Sequence, residues 1–290
     1  MTWYFLSIPG TERKWGSFMY CSDYHLHTWI SSDSPASLEQ QARSALEAGL
    51  QELCVTDHWN LLDQQANPLP RTRNWEDSIT QCREARQLFD GQLEIRLGIE
   101  VGNGEVDPIA VSEGLAQAGD DLDFVIGSLH NRSLGSGGIG IFTSAKHCQH
   151  MEEGIALLDD YMDTLAALTA TDTFDVMGHV IYPLRYLPAQ WQLTLDPYEE
   201  QLRTLFKTLA ETGRGIEFNT TQGHTIEEWI PVLKLYRDCG GEIITTGSDA
   251  HRVGQAGAGF MDAYKLLKEL GFQHYCTYRN RKPVFHPLDI

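Results

Sequence analysis

The sequence predicts an α/β fold in which seven strand–helix units close into a parallel barrel. Three observations predict it. Short apolar runs alternate with amphipathic helical segments from about residue 20 onward, and such alternation implies parallel strands joined by helical crossovers. No Gly-x-Gly-x-x-Gly follows the first run, which favours a closed barrel over a doubly wound nucleotide-binding sheet. Histidines and carboxylates recur at the C-terminal tips of the runs, the end at which barrel enzymes keep their active sites.

In chain order, strands are expected at 21–26, 52–56, 94–99, 124–128, 174–177, 215–218 and 242–246. The helix pattern over 38–48 closes on Gly49, and that over 75–89 is followed by Gly91. The pattern over 197–212 starts after Asp196, a good N-cap with proline in the first helical position, and stops at Gly213. The helix over 226–239 ends in Gly240 and Gly241, and that over 260–270 ends at Gly271. Residues 1–19 read as an N-terminal extension and residues 20–290 as one barrel domain, since no repeat or linker-like stretch divides them. The Gly/Ser-rich stretch 133–143 lacks Gly-Lys-Ser/Thr, so it reads as a flexible active-site flap rather than a P-loop.

The 290 residues carry 40 Asp and Glu against 22 Lys and Arg, a formal net charge of −18. That balance argues against long nucleic acid or a membrane surface as partner, since both require basic patches. An anionic small substrate stays compatible, because metal ions and a few arginines reverse the potential locally. None of the six cysteines (Cys21, Cys54, Cys82, Cys148, Cys239 and Cys276) forms a Cys-x-x-Cys pair, the pattern of reduced thiols in a cytoplasmic protein. The apolar run 3–8 is too short for a signal peptide, and no stretch approaches the roughly 18 apolar residues of a membrane span.

The first strand ends in Asp23-Tyr24-His25-Leu26-His27. In extended chain, residues i and i+2 face the same side, so both imidazoles can reach one ion. The second strand ends in Thr56-Asp57-His58, the third runs into Glu100, the fourth into His130, the fifth into His179 and the seventh into Asp249-Ala250-His251. Asp33 lies six residues beyond His27. Each residue alone reads as readily as a hydrogen-bonded core histidine or a turn carboxylate. Together, on one face, they are costly to bury without positive charge, and a mixed His/carboxylate set suits zinc, manganese or iron. His147, His150, His224, His274 and His286 do not follow strand ends and read as surface or supporting residues.

The set His25-x-His27, Asp33, Thr56-Asp57-His58, Glu100, His130, His179 and Asp249-x-His251 resembles the PHP (polymerase and histidinol phosphatase) superfamily. The likeness covers roughly residues 20–275 and is greatest to the histidinol-phosphate phosphatase branch. It implies a distorted (β/α)7 TIM-like barrel with two or three divalent ions, Mn, Zn or Fe, at the C-terminal strand ends. It further implies His25, His27, Glu100 and Asp249 on one ion, and Glu100 bridging to a second held by His130 and His179. Asp33, His58 and His251 would hold the third. Two stretches depart from that branch. Val101-Gly102-Asn103-Gly104 stands where an acidic–aromatic pair is usual, and Asn131–Gly135 where an aromatic–aliphatic pair is usual.

The chemistry expected is hydrolysis of a small phosphorylated metabolite, histidinol phosphate first, by a hydroxide bridging two ions. Arg185, Arg132 and Arg252 are the cations expected on the phosphate, and Asp249 or His251 the residues expected to handle protons. A phosphodiesterase acting on a nucleotide or small cyclic phosphodiester is the alternative. A non-catalytic metal-binding module comes third, because the ligand set is intact.

Overall fold

The computed structural model describes residues 19–289. The extension expected at the N-terminus therefore lies outside the described residues except for Met19. The barrel begins with β1 (Ser22–Asp23) and α1 (Leu38–Ala48). Ser37 caps α1: its hydroxyl accepts from the Gln40 N–H, the Gln40 side chain accepts from the Ser37 N–H, and Gly49 ends the helix in the left-handed region. Next come β2 (Glu52–Val55), β3 (His58–Asn60), α2 (Glu76–Leu88), β4 (Glu94–Gly102), α3 (Pro108–Ala118) and β5 (Phe124–Ser128). The chain continues through α4 (Ile141–His147), α5 (Met151–Thr169), β6 (Val176–Met177), α6 (Glu199–Glu211), β7 (Gly215–Asn219), α7 (Ile230–Asp238), β8 (Ile244–Gly247) and α8 (Phe260–Glu269). It ends in β9 (His274–Arg279) and β10 (Lys282–Pro287).

The strands run parallel in the order β1-β2-β4-β5-β6-β7-β8. β2 pairs with Glu94 to Leu97 of β4 and β3 with Glu100 to Gly102, so β2 and β3 form one stave interrupted at Thr56 and Asp57. The seven staves expected from the sequence are present. They close where β8 returns to β1: Tyr24 N–H donates to Thr246 O, Asp249 N–H to His25 O and His27 N–H to Ala250 O, at 2.8–2.9 Å. Strands covered on both faces read as continuous apolar runs rather than alternating ones, which is what made them legible.

The antiparallel hairpin β9–β10 was not expected, and it closes the opposite end of the barrel. Arg279 pairs with Glu52 at 2.7 Å, Arg281 with Asp175 at 2.6 Å, and Asn280 N–H donates to Asp123 Oδ1 at 3.1 Å. Glu52, Asp123 and Asp175 all stand at the entry of a strand, so the hairpin covers the N-terminal end and leaves the C-terminal end open. Tyr278 and Cys276 enter the barrel interior with Tyr24, Cys54, Phe124, Ile126 and Val176.

Two local expectations differ. Asp196 makes no side-chain cap; residues Asp196–Tyr198 form a 3-10 turn and α6 starts after it. The 133–143 stretch is strapped rather than free: Ser136 Oγ (2.6 Å) and Ser133 N–H (3.0 Å) both donate to Asp160 on α5, and Asn131 bridges to Gly140. All six cysteines are unpaired. Among the described residues no helix is long and apolar enough to cross a membrane.

Candidate metal centre

β1 and its continuation deliver His25 and His27, both fully buried, to the open end of the barrel. Asp249 is thrown between them by a backbone turn at φ 60. That conformation costs a non-glycine residue on the order of 1 kcal/mol, and Gln222 holds it by donating to the carbonyls of Ser248 (3.0 Å) and Asp249 (2.7 Å). Asp249 Oδ1 lies 3.6 Å from His25 Nε2 and 3.4 Å from His27 Nε2. Glu100, near the end of β4, is the hub. Its Oε2 lies 3.3 Å from His25 Nε2, 3.7 Å from His27 Nε2 and 2.7 Å from His58 Nδ1, while Oε1 lies 3.1 Å from His130 Nε2 and 3.0 Å from His179 Nε2. Outside this knot, Asp33 Oδ2 sits 3.3 Å from both His58 Nε2 and His251 Nε2.

All nine residues expected as ligands therefore converge. His25 Nε2, His27 Nε2, His58 Nδ1 and Glu100 Oε2 are buried without a hydrogen-bond partner among the described residues. Four unpartnered polar atoms within contact of one another are costly unless a cation lies between them. Ligand atoms sharing an ion at about 2.1 Å stand roughly 3.0–3.4 Å apart, and the contacts here, 2.7–3.7 Å, bracket that spacing. The donor set fits a divalent cation. Among the described residues three triplets have their donor atoms within 4.8 Å of one another: His25, His27 and Glu100; His58, Glu100 and His130; and His27, His58 and His251. His58 thus faces two ways, toward Glu100 and toward Asp33.

The electrostatics follow from this crowding. Burial raises the Glu100 and Asp249 carboxyls, but their histidine neighbours outweigh it and hold both well below the usual carboxylate range. Burial, with His58 and His251 beside it, pushes His27 down to about 3. For His58 burial also lowers, but Glu100 and Asp33 prevail and lift it to about 10.

Several residues that support the cluster were missed in the sequence. Glu217 on β7, 1% exposed, bonds His25 Nδ1 at 2.6 Å and accepts the His179 N–H at 2.9 Å. Asn60 Oδ1 lies 2.9 Å from His130 Nδ1, Ser128 Oγ donates to Glu100 at 2.6 Å, and the Asp249 carbonyl lies 2.9 Å from His251 Nδ1. Bonds at Nδ1 fix each ring and leave Nε2 for a cation. The signal for Glu217 was present: Glu and Asn stand at alternate positions of the otherwise apolar run Gly215-Ile216-Glu217-Phe218-Asn219.

The three arginines fare differently. Arg185 Nη1 lies 3.3 Å from Asp249 Oδ2 with its side chain 6% exposed, and its Nε and Nη2 have no hydrogen-bond partner among the described residues. Arg132 is instead drawn to Asp160 at 3.4 Å, and Arg252 lies exposed beyond His251. None of the three arginines lines the cavity over the cluster, which is walled by Asn60, Gln64, Phe142, Tyr182 and Tyr186 beside the candidate ligands; Arg185 meets that lining through Asp249.

Residues 23–221 match the family model described as PHP domain. The chain belongs to the PHP domain family. A probable histidinol-phosphatase of Deinococcus radiodurans is 29% identical over 275 residues, covering 90% of this chain and 97% of that protein. The histidinol-phosphatase of Lactococcus lactis is 23% identical over 264 residues, covering 90% of this chain and 95% of its own. The crystal structure of the Lactococcus lactis histidinol phosphate phosphatase, solved with zinc, L-histidinol and phosphate, superposes with a TM-score of 0.76 at 23% identity. It covers 91% of this chain and 98% of that one, and it shares the PHP barrel.

Proposed function

We propose that this PHP protein is a metal-dependent phosphomonoesterase that hydrolyses a small phosphorylated metabolite, with L-histidinol phosphate as its substrate. The observation that carries the reading is the pairing of two features: the unpartnered histidine and carboxylate atoms around Glu100, and the unpartnered N–H groups of Arg185 beside them. The first fits divalent cations and the second fits a tetrahedral anion. The likeness to histidinol-phosphatases over nine-tenths of the chain supports the substrate.

When bound, two or three divalent ions, zinc, manganese or iron, would supply Lewis acidity and a water activated near neutral pH. His25, His27, Glu100 and Asp249 would hold one, Glu100 with His130 and His179 a second, and Asp33, His58 and His251 a third. Arg185 binds and orients the phosphate through Nε and Nη2, while its bond to Asp249 keeps the guanidinium from swinging away. Asp249, held far below the carboxylate range by its histidines against the effect of burial, stays ionised and cannot supply a proton. His251, the other residue expected to handle protons, has Nδ1 2.9 Å from the Asp249 carbonyl and Nε2 3.3 Å from Asp33 Oδ2. The six unpaired cysteines support a reducing compartment, the cytoplasm, for the enzyme.

The experiment is turnover by the metal-loaded protein of p-nitrophenyl phosphate, bis-p-nitrophenyl phosphate and L-histidinol phosphate. The expected result is hydrolysis of the monoesters, L-histidinol phosphate fastest by kcat/KM, with loss on chelation. Preference for the diester would replace the reading with a phosphodiesterase, and turnover of none would remove the enzymatic reading.

A further inference from the structure

Apart from the clustered histidines, the cavity of about 310 Å3 is lined by three carboxylates, Asp33, Glu100 and Asp249, and by five uncharged residues. Each carboxylate lies against histidines of the cluster, so none is left in the lining to meet a cationic leaving group. The aromatic rings step outward from the cluster. Tyr182 stands 4.6 Å from His179, Tyr186 5.1 Å from Tyr182 and Phe142 4.9 Å from Tyr186, centroid to centroid. Lys146 Nζ, 4.0 Å from the Phe142 centroid, holds the outermost ring by a cation–π contact.

Gln64 stands on the rim beside Phe142. Thr143 Oγ1 donates to its Oε1 at 3.3 Å, and Gly140 N–H donates to its carbonyl at 3.1 Å. Gly140 backs the carboxamide so closely that a Cβ there would overlap Oε1. With Oε1 engaged, the Nε2 donor has no partner among the described residues, and the side chain lines the cavity. A fixed ring wall with a spare amide donor on its rim and no spare anion is complementary to a planar ring that carries an acceptor.

We propose that Gln64, with the rings of Phe142 and Tyr186, forms the leaving-group subsite and reads a planar ring through a hydrogen-bond acceptor on it, an imidazole nitrogen being one. The proposal rests on the phosphomonoesterase reading above. It assigns substrate selection to a hydrogen-bond donor rather than to a carboxylate that would bind an amine.

The test is titration calorimetry of the metal-loaded full chain with L-histidinol and with L-alaninol, which keeps the amino alcohol and lacks the ring. Gln64→Leu removes the donor at similar size, and Gln64→Glu replaces it with an acceptor. Selectivity for L-histidinol over L-alaninol is expected to fall about five- to tenfold in both variants, the worth of one neutral hydrogen bond. Unchanged selectivity in Gln64→Leu would overturn the proposal, as would a gain in Gln64→Glu, which would mean that the subsite reads a donor or a cation. Binding needs no turnover, so failure of the phosphatase reading is scored separately by the monoester assay.

Discussion

Gly102 leaves open the space that the Asn60 carboxamide fills. A Cβ at residue 102 would collide with Asn60 Oδ1 and lie 2.9 Å from His130 Nδ1, where Asn60 now makes its hydrogen bond. One of the two stretches that depart from the phosphatase branch is thereby explained in part. The glycine lets a neighbour on β3 orient a histidine of the cluster. Gly102→Ala is expected to push Asn60 aside and lower kcat/KM ten- to a hundredfold, the usual effect of losing a partner to a metal-holding imidazole. Asn60→Ala should cost a similar factor and the double variant little more, because both break one bond. Additive losses in the kinetics would show that the two residues act separately.

Glu217 does the same for His25, and from a strand whose residues were not expected at the site. Glu217→Gln keeps the size and the bond to the His179 N–H but takes the charge from His25 Nδ1. Affinity for the first-bound ion is expected to drop ten- to a hundredfold, measured by competition with a chromogenic chelator, with the circular dichroism spectrum retained. Wild-type affinity in the variant would mean that the cation needs no help from this carboxylate.

The barrel and the nine clustered residues were legible because one physical cause produced both signals. Strands buried on both faces must be apolar along their length, so His27, Glu100 or His179 at the tip of such a run stands out. The supporting residues lacked that contrast. Asn60 belongs to β3, a three-residue continuation beyond a break, and Gln64 to an exposed loop, so neither follows a pattern. The arginines show the limit of sequence proximity. Arg132 is two residues from His130, yet Asp160, distant in sequence, captures it, whereas Arg185 reaches Asp249 across the barrel mouth. The terminal hairpin escaped notice because its partners, Glu52, Asp123 and Asp175, come from three separate strand entries.

Glu105 offers a pH dependence that involves no candidate ligand. Its Oε2 is buried without a partner, and burial pushes the carboxyl up to about 7 from 4.5, with Asn103 offsetting only part. Since the folded-state value is raised, the fold favours the protonated form; that contribution is whole below pH 4.5 and is lost as pH rises through 7. Glu105→Gln, which stays neutral, should match the wild type near pH 4.5. At pH 8 it should exceed it by at most about 3 kcal/mol in urea unfolding. An equal difference at both pH values would remove Glu105 as the cause.

Arg185 and Arg132 make opposite predictions from similar sequence positions. Arg185 is almost wholly buried against Asp249 and the Tyr182 ring, with two nitrogens unpartnered, so lysine, a single point of charge, cannot replace its fork. Inhibition by inorganic phosphate isolates anion binding from the chemical step. Arg185→Lys is expected to raise the phosphate inhibition constant about tenfold or more, in line with charged hydrogen bonds worth about 1.5–3 kcal/mol each. Arg132→Ala should leave that constant within about twofold, since its guanidinium is spent on Asp160, while loosening the loop that Ser133 and Ser136 tie to the same carboxylate. If Arg132→Ala weakens phosphate inhibition and Arg185→Lys does not, the anion is held by the strapped loop and not by the arginine beside Asp249.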